Sequence, residues 1–196
     1  QVVLSADQTL QQRYLSKNNN NILRLGSIRQ AFPDALIIVP FRDPIQHAIS
    51  LFQLHIRFCA THEIDSFSSN YMEWLGHHEF GATHRPFQFG GHHTVTAKDH
   101  HPGNMNYWLA LWINTYHYLL ETAPKDTVFV SFEELGREPR QTISRLFSMA
   151  NLSINDCSIK EKIKTPKVKQ EVNIDQELKK YALQIYRDLS SSSRNV

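Results

Sequence analysis

The sequence has few cysteines, no long apolar run and no excess of charge of either sign. Its 196 residues include only Cys59 and Cys157, which excludes a disulfide framework and predicts two buried or free thiols. No apolar run approaches the roughly 20 residues that cross a bilayer, so no transmembrane segment is predicted within the chain. A net charge of +2 gives no strong field for nucleic acid, so a nucleic-acid partner is not predicted and any basic site must be local.

The most informative stretch covers residues 36–50. Residues 36–41 form a continuous apolar run, which is typical of a strand covered on both faces. Asp43 followed by Pro44 is a strong helix start. Arg42 therefore lies where a strand ends and a helix begins, the edge at which open α/β sheets bind ligands and helix amides favour an anion. The alternative is that Arg42 pairs with a carboxylate such as Asp43.

These residues resemble the 3′-phosphate-binding element of the sulfotransferase family, whose sulfonate donor is 3′-phosphoadenosine 5′-phosphosulfate (PAPS). In that family a strand ends in arginine, and a serine follows eight positions further along the helix. Arg42 and Ser50 match in type and spacing, which implies that they bind the 3′-phosphate of the donor. A guanidinium fork with a hydroxyl two turns into the helix suits a phosphate.

Two further segments carry the same resemblance. Residues 17–25, followed by Ala-Phe-Pro-Asp-Ala at 31–35, resemble the lysine-containing segment of the family and the turn into its arginine strand. Residues 128–135 with the following Pro139 resemble a later strand and helix. The resemblance implies that Lys17 neutralises the transferring group, while the alternative is a solvated lysine in a polar loop.

The general base is not identified by the sequence. Cytosolic members of the family carry a histidine two positions after the lysine, whereas this chain has Asn19 there. The candidates within the chain, none preferred, are His55, His77, His78 and Glu79; a base in the expected missing N-terminal region is an equal alternative. A base must lie within hydrogen-bond reach of the acceptor, which sequence does not reveal.

One element of the family is missing from the sequence. Family members begin with a glycine-rich loop that cradles the 5′-phosphosulfate, yet residues 1–16 contain no glycine. We therefore expect the chain to be a C-terminal portion of a longer protein, or to lack the first β-loop-α unit. If the sequence were complete as given, catalysis would be doubtful.

Many histidines lie between Thr61 and Asn104, and they raise the alternative of a metal site, because imidazole and carboxylate bind zinc. No H-E-x-x-H or similar pair at helical spacing occurs, so no metal ligand is predicted. We interpret residues 61–104 as an irregular excursion on the substrate side, in which only residues 71–75 look locally helical, since so long an irregular stretch is typical of a functional segment. The histidines are His77, His78, His84, His92, His93, His100 and His101, with Glu79 and Asp99 among them.

Helical spacing of apolar residues predicts helices over 21–31, from 45 to about 60, around 108–119, after Pro139 and around 174–185, with a frayed tail over 190–196. With strands at 36–41 and 128–132, this order fits an α/β fold. The resemblance implies a single domain over residues 1–196, a three-layer sandwich with a parallel central sheet and helices on both faces, similar to P-loop NTPases.

The sequence therefore predicts a PAPS-dependent sulfotransferase that needs no metal. It would transfer sulfonate to a hydroxyl or amine of a carbohydrate, lipid or small metabolite. The alternatives are a non-catalytic module that kept the fold, and a histidine-cluster metalloenzyme. A nucleotide kinase is disfavoured because no P-loop is evident. Oligomeric state and compartment are left open, with the cytoplasm slightly favoured.

Overall fold

The computed structural model describes residues 14–90, 101–152 and 173–194. A 3₁₀ turn at Asn19–Arg24 leads into the elements α1 (Leu25–Ala31), β1 (Ile38–Phe41), α2 (Pro44–Ile64), α3 (Ser66–Trp74), α4 (Met105–Thr122), β2 (Val128–Ser131), α5 (Phe132–Arg137), α6 (Pro139–Met149) and α7 (Gln176–Arg194). This part of the chain is a helix-rich α/β structure with a small parallel sheet. Cys157 lies outside the described residues.

Helix α2 begins as its sequence predicts. The Asp43 carboxylate accepts a hydrogen bond from the Gln46 amide at 2.8 Å, which satisfies one of the amides that have no partner at a helix start. Pro44 occupies the first turn, where its missing N–H leaves no donor unpaired. The strand-to-helix junction that carries Arg42 is therefore fixed by local chemistry.

The two described strands pair in parallel, with Ile38 opposite Val128 and Phe41 opposite Ser131. Strand β2 is buried along its whole length, whereas β1 alternates, because Ile38 and Pro40 are exposed. The prediction that β1 is covered on both faces is therefore wrong within the described residues, where packing covers one face only. The three-layer arrangement stays a prediction.

The core is built around α4, whose aromatic and aliphatic side chains pack between α2 and α7. Trp108, Trp112, Leu109 and Ile113 on this helix are almost completely buried. Burying one such side chain contributes about 1.5–3 kcal/mol relative to leaving it in water. Helix α4 thus forms the centre of the core, against which α2 and α7 pack.

Three segments are more helical than the sequence indicates. Helix α2 continues to Ile64 and α3 follows at once, so the start of the segment 61–104 is helical. The Asp65 side chain caps α3 by accepting from the Phe67 amide at 3.0 Å. Helix α5 was not expected, and α7 continues to Arg194, within the tail expected to be frayed, because Leu189 and Ser193 are buried.

None of the described helices combines the length and the apolar character that a bilayer-spanning segment requires. Cys59 is a free, half-buried thiol with its sulfur 3.5 Å from Nε2 of His55. Burial raises the pKa of Cys59, and the nearby Glu63 charge adds to the shift. The thiol is therefore held in its protonated form.

Candidate functional site

The structure brings Arg42 and Ser50 together at the carboxyl end of β1. Nη1 of Arg42 donates to Oγ of Ser50 at 3.1 Å, and that hydroxyl donates to the Gln46 carbonyl at 2.9 Å. The guanidinium also lies over the Phe132 ring, 5.3 Å from its centre, a cation–π contact that steadies its plane. A half-buried guanidinium and a hydroxyl side by side form an arrangement that can bind an anion.

The carboxylate of Glu133, in the helix that follows β2, is hydrogen-bonded to this junction. Glu133, just after β2, accepts from the Asp43 amide at 3.0 Å through Oε1. Its Oε2 accepts from the hydroxyls of Ser131 at 3.2 Å and Tyr186 at 3.1 Å. Burial, followed by the Glu133 charge, raises the pKa of Tyr186 to about 12, so the phenol stays a donor. Glu133 thus links both strand ends to α7.

His47 lies in the first turn of α2, where sequence reasoning assigned no function. Its ring tilts against that of Tyr116, with 6.5 Å between the centres. Nδ1 is buried and has no hydrogen-bond partner among the described residues. Burial, with the Arg42 charge adding and Glu133 opposing, lowers the pKa of His47 to about 4. The imidazole is therefore neutral at pH 7.

A cavity of about 1410 Å³ opens beside β1. Its wall includes Lys17 from the segment before the 3₁₀ turn, His47 from α2 and Tyr116 from α4. The lining is largely apolar and contains neither Arg42 nor Ser50. The exposed Lys17 therefore lines the cavity, whereas the arginine–serine pair lies outside its wall. His47 lines the cavity and is also close enough to Arg42 for the two charges to interact.

The loop after α3 forms another wall of the cavity and is anchored to α2 by two histidines. Nδ1 of His55 accepts from the Gly81 amide, and Nδ1 of His62 accepts from the Ala82 amide, both at 3.3 Å. Gly81 has φ +84 and lies directly against the His62 ring, so a side chain there would be strained. This anchoring fixes the residues of the loop that face the cavity.

The four candidate bases differ in their surroundings. His78 and Glu79 line the cavity, whereas His55 and His77 do not. His55 is buried and already accepts from the loop. His77 lies 3.4 Å from the Glu79 carboxylate through Nδ1. The geometry therefore leaves His78 and Glu79 as the candidates within reach of a molecule in the cavity.

The histidines of the segment do not assemble a metal site in the part of the chain that the structure describes. His84 is occupied on both ring nitrogens, since Nδ1 donates to the His78 carbonyl at 3.1 Å and Nε2 meets the Tyr107 hydroxyl at 2.8 Å. Over the described ranges, no group of three or more histidine, cysteine or acidic side chains could hold an ion. Residues 91–100, with three of the histidines, lie outside these ranges.

Comparison with known protein families gives a match over part of the chain. The model of the sulfotransferase family matches residues 2–85, somewhat less than half of the chain, and this range contains Lys17, Arg42 and Ser50. A search of curated proteins gives no significant match, and neither does a search of solved structures. The resemblance to the sulfotransferase family, which the sequence predicts from its arginine strand, is therefore confirmed over residues 2–85.

Proposed function

We propose that this chain is the donor-binding part of a PAPS-dependent sulfotransferase. The observation that carries the proposal is the 3.1 Å hydrogen bond between Arg42 and Ser50 at the end of β1. In this proposal the two side chains bind the 3′-phosphate of the donor, because a guanidinium and a hydroxyl together offer several donors to one phosphate. The sulfotransferase family match over residues 2–85 supports it.

The reaction moves the sulfonate group from one oxygen to another atom. The sulfur–oxygen bond to the 5′-phosphate breaks while a bond forms to the acceptor oxygen or nitrogen, which loses its proton to a base. Adenosine 3′,5′-bisphosphate leaves. By analogy with phosphoryl transfer, positioning and charge neutralisation supply most of the rate, and Lys17 in the cavity wall is the residue proposed to neutralise the leaving oxygen.

The acceptor is proposed to bind in the cavity beside β1. The loop anchored at Gly81 lines this space with His78 and Glu79, which keeps both as candidates for the base. A small molecule or the end of a glycan fits a volume of about 1410 Å³. No metal takes part in the proposed reaction.

Titration calorimetry with adenosine 3′,5′-bisphosphate tests the donor site. We expect Arg42→Ala to weaken binding about 10- to 150-fold and Ser50→Ala about threefold to tenfold, since charge-assisted bonds contribute roughly 1.5–3 kcal/mol and neutral ones about 1 kcal/mol. Arg57→Ala, on the exposed side of the same helix, is the matched control. Ser191→Ala is the control for the serine, because its hydroxyl also donates to the carbonyl four residues earlier.

The ligand control is adenosine 5′-monophosphate, which lacks the 3′-phosphate. The two site variants should bind it as the wild type does. Unchanged bisphosphate affinity in both Arg42→Ala and Ser50→Ala would remove the proposal. Tight bisphosphate binding without any sulfonate transfer from PAPS to a panel of acceptors would instead favour the non-catalytic module.

A further inference from the structure

We propose that His47 is a third ligand of the 3′-phosphate and that it takes up a proton when the phosphate binds beside Arg42 and Ser50. This inference rests on the proposed function, because it assumes that the arginine–serine pair binds that phosphate. It assigns a role to a side chain that neither the sequence pattern nor the family resemblance identifies. It also makes donor binding depend on pH in a way that can be measured without catalysis.

The position of His47 on α2 supports the assignment. His47 and Ser50 lie three residues apart, so they are neighbours on the helix surface, with about 5–6 Å between their Cβ atoms. Arg42 reaches the same Ser50 hydroxyl at 3.1 Å. A phosphate that contacts both donors therefore lies within one helical turn of the imidazole.

In the described part of the chain, the surroundings of His47 leave one of its ring nitrogens without a hydrogen bond. Its Nδ1 is buried with no hydrogen-bond partner among the described residues, and a buried polar atom without a partner is costly and calls for an explanation. The ring also forms part of the cavity wall. Arg42 and Ser50 lie outside that wall, but the Arg42 charge acts on the ring, so the imidazole is close to the arginine–serine pair as well as to the cavity.

Three groups from the surrounding elements determine the charge of the ring. Arg42, just before α2, disfavours a second positive charge, and Glu133, after β2, favours it. Tyr116 on α4 packs near the ring but adds no charge, because burial raises the pKa of its hydroxyl. Without a ligand, burial and Arg42 prevail and the imidazole is neutral.

A bound phosphate reverses that balance. Its negative charge offsets that of Arg42, and the imidazole binds a proton from solvent and donates a hydrogen bond to a phosphate oxygen; no covalent bond changes. An opposite charge at 4–6 Å shifts a pKa by about 1–3 units. Starting from a pKa of about 4, a rise of roughly two units leaves about half of the imidazole protonated at pH 6.

Calorimetry at pH 6 in two buffers of different ionisation enthalpy measures this proton uptake. Adenosine 3′,5′-bisphosphate is titrated into the wild type, into His47→Gln and into the control His117→Gln, a half-buried histidine of α4 outside the cavity wall. We expect the wild type and the control to take up a few tenths of a proton more than His47→Gln. Protons that the ligand itself takes up or releases on binding contribute equally for all three proteins. They cancel when the proton uptake of two proteins is compared.

His47→Gln should also weaken binding several-fold at pH 6 and much less at pH 8. If the His47→Gln protein does not fold, His47→Phe is used in its place, because it keeps a ring against Tyr116. Equal proton uptake in the wild type and the His47 variant would overturn this inference alone and leave the arginine–serine site intact. Absence of bisphosphate binding in the wild type would overturn the proposed function and this inference with it. Equal His47-dependent uptake with adenosine 5′-monophosphate would also overturn the inference, because the proton would not belong to the 3′-phosphate.

Discussion

The backbone amide of Asp43 donates to Oε1 of Glu133 at 3.0 Å across a separation of 90 residues. This bond ties the turn after β1 to the turn after β2. Since Arg42 is the preceding residue in the chain, the same bond limits where its guanidinium can lie relative to the Phe132 ring. The orientation of Arg42, the side chain proposed to bind the phosphate, thus depends on a carboxylate that is distant in the sequence.

Glu133→Gln should therefore weaken both stability and ligand binding. The substitution removes a charged acceptor from three hydrogen bonds, and bonds to a charged group contribute roughly 1.5–3 kcal/mol each. Since glutamine retains one acceptor oxygen, we expect a loss of about 2–4 kcal/mol in urea unfolding. Bisphosphate affinity should fall in calorimetry because the turn carrying Arg42 is less constrained. Glu73→Gln, exposed on α3, is the control, and a Glu133 variant that unfolds like it would contradict this role.

Gly81→Ala should destabilise the protein and disturb the wall of the cavity. A Cβ there would lie 2.6 Å from Nδ1 of His62, and φ is +84, so steric contact and backbone strain add. We expect a loss of about 1–3 kcal/mol in the free energy of unfolding. Gly26→Ala is the control, because nothing lies within 4 Å of a Cβ at that position of α1. Similar stability of the two variants would show that the loop does not need this close approach.

Lys17→Ala should slow sulfonate transfer without releasing the bisphosphate. Removing one group that stabilises transition-state charge typically lowers the rate about 10²–10³-fold, whereas the bisphosphate lacks the sulfonate that the lysine would neutralise. Rates are measured with PAPS and an acceptor found by screening, and affinities by calorimetry. Lys125→Ala, exposed between α4 and β2, provides the comparison. Equal rates for the two lysine variants would exclude the assignment of Lys17.

The low pKa of His47 predicts a pH dependence of stability. Between its ordinary pKa of 6.5 and the folded value of about 4, the unfolded chain binds more protons than the folded one. The contribution is therefore fully present above pH 6.5 and is lost as the pH falls towards 4, by about 3 kcal/mol in all. Unfolding free energies measured from pH 7 to pH 4 should fall less steeply for His47→Gln than for the wild type or His117→Gln. Parallel curves for all three proteins would count against a neutral, buried His47.

The sequence predicts those parts of the site that local chemistry determines. Asp43 and Pro44 favour the start of a helix, and they directly follow an apolar strand and Arg42. The junction at Arg42 could therefore be located from the sequence. The spacing of Arg42 and Ser50 places both on one side of that junction. The stripe of Trp108 and Trp112 likewise predicted the buried helix α4, because its period of 3.6 is a local property.

The remaining features depend on contacts between distant segments. Nothing around Glu133 indicates that it accepts from Asp43 or from Tyr186, because these partners meet only after the strands pair. The sequence indicates only the last part of helix α3, at residues 71–75, because a polar and aromatic composition concealed the helical period before it. Asp65, which caps the helix, was the signal for its start. His47 could be placed on α2 from the sequence, whereas its lack of a partner is visible only in the packed structure.

The hydroxyl of Tyr186 has a practical consequence for anyone who shortens or tags the protein. That single atom joins the last described helix to the carboxylate that constrains the arginine turn. A carboxyl-terminal deletion that removes Tyr186 would therefore take one donor from this carboxylate and weaken the constraint on the turn that carries Arg42. Loss of bisphosphate binding in such a shortened protein would then reflect the missing hydrogen bond and not the absence of the proposed phosphate site.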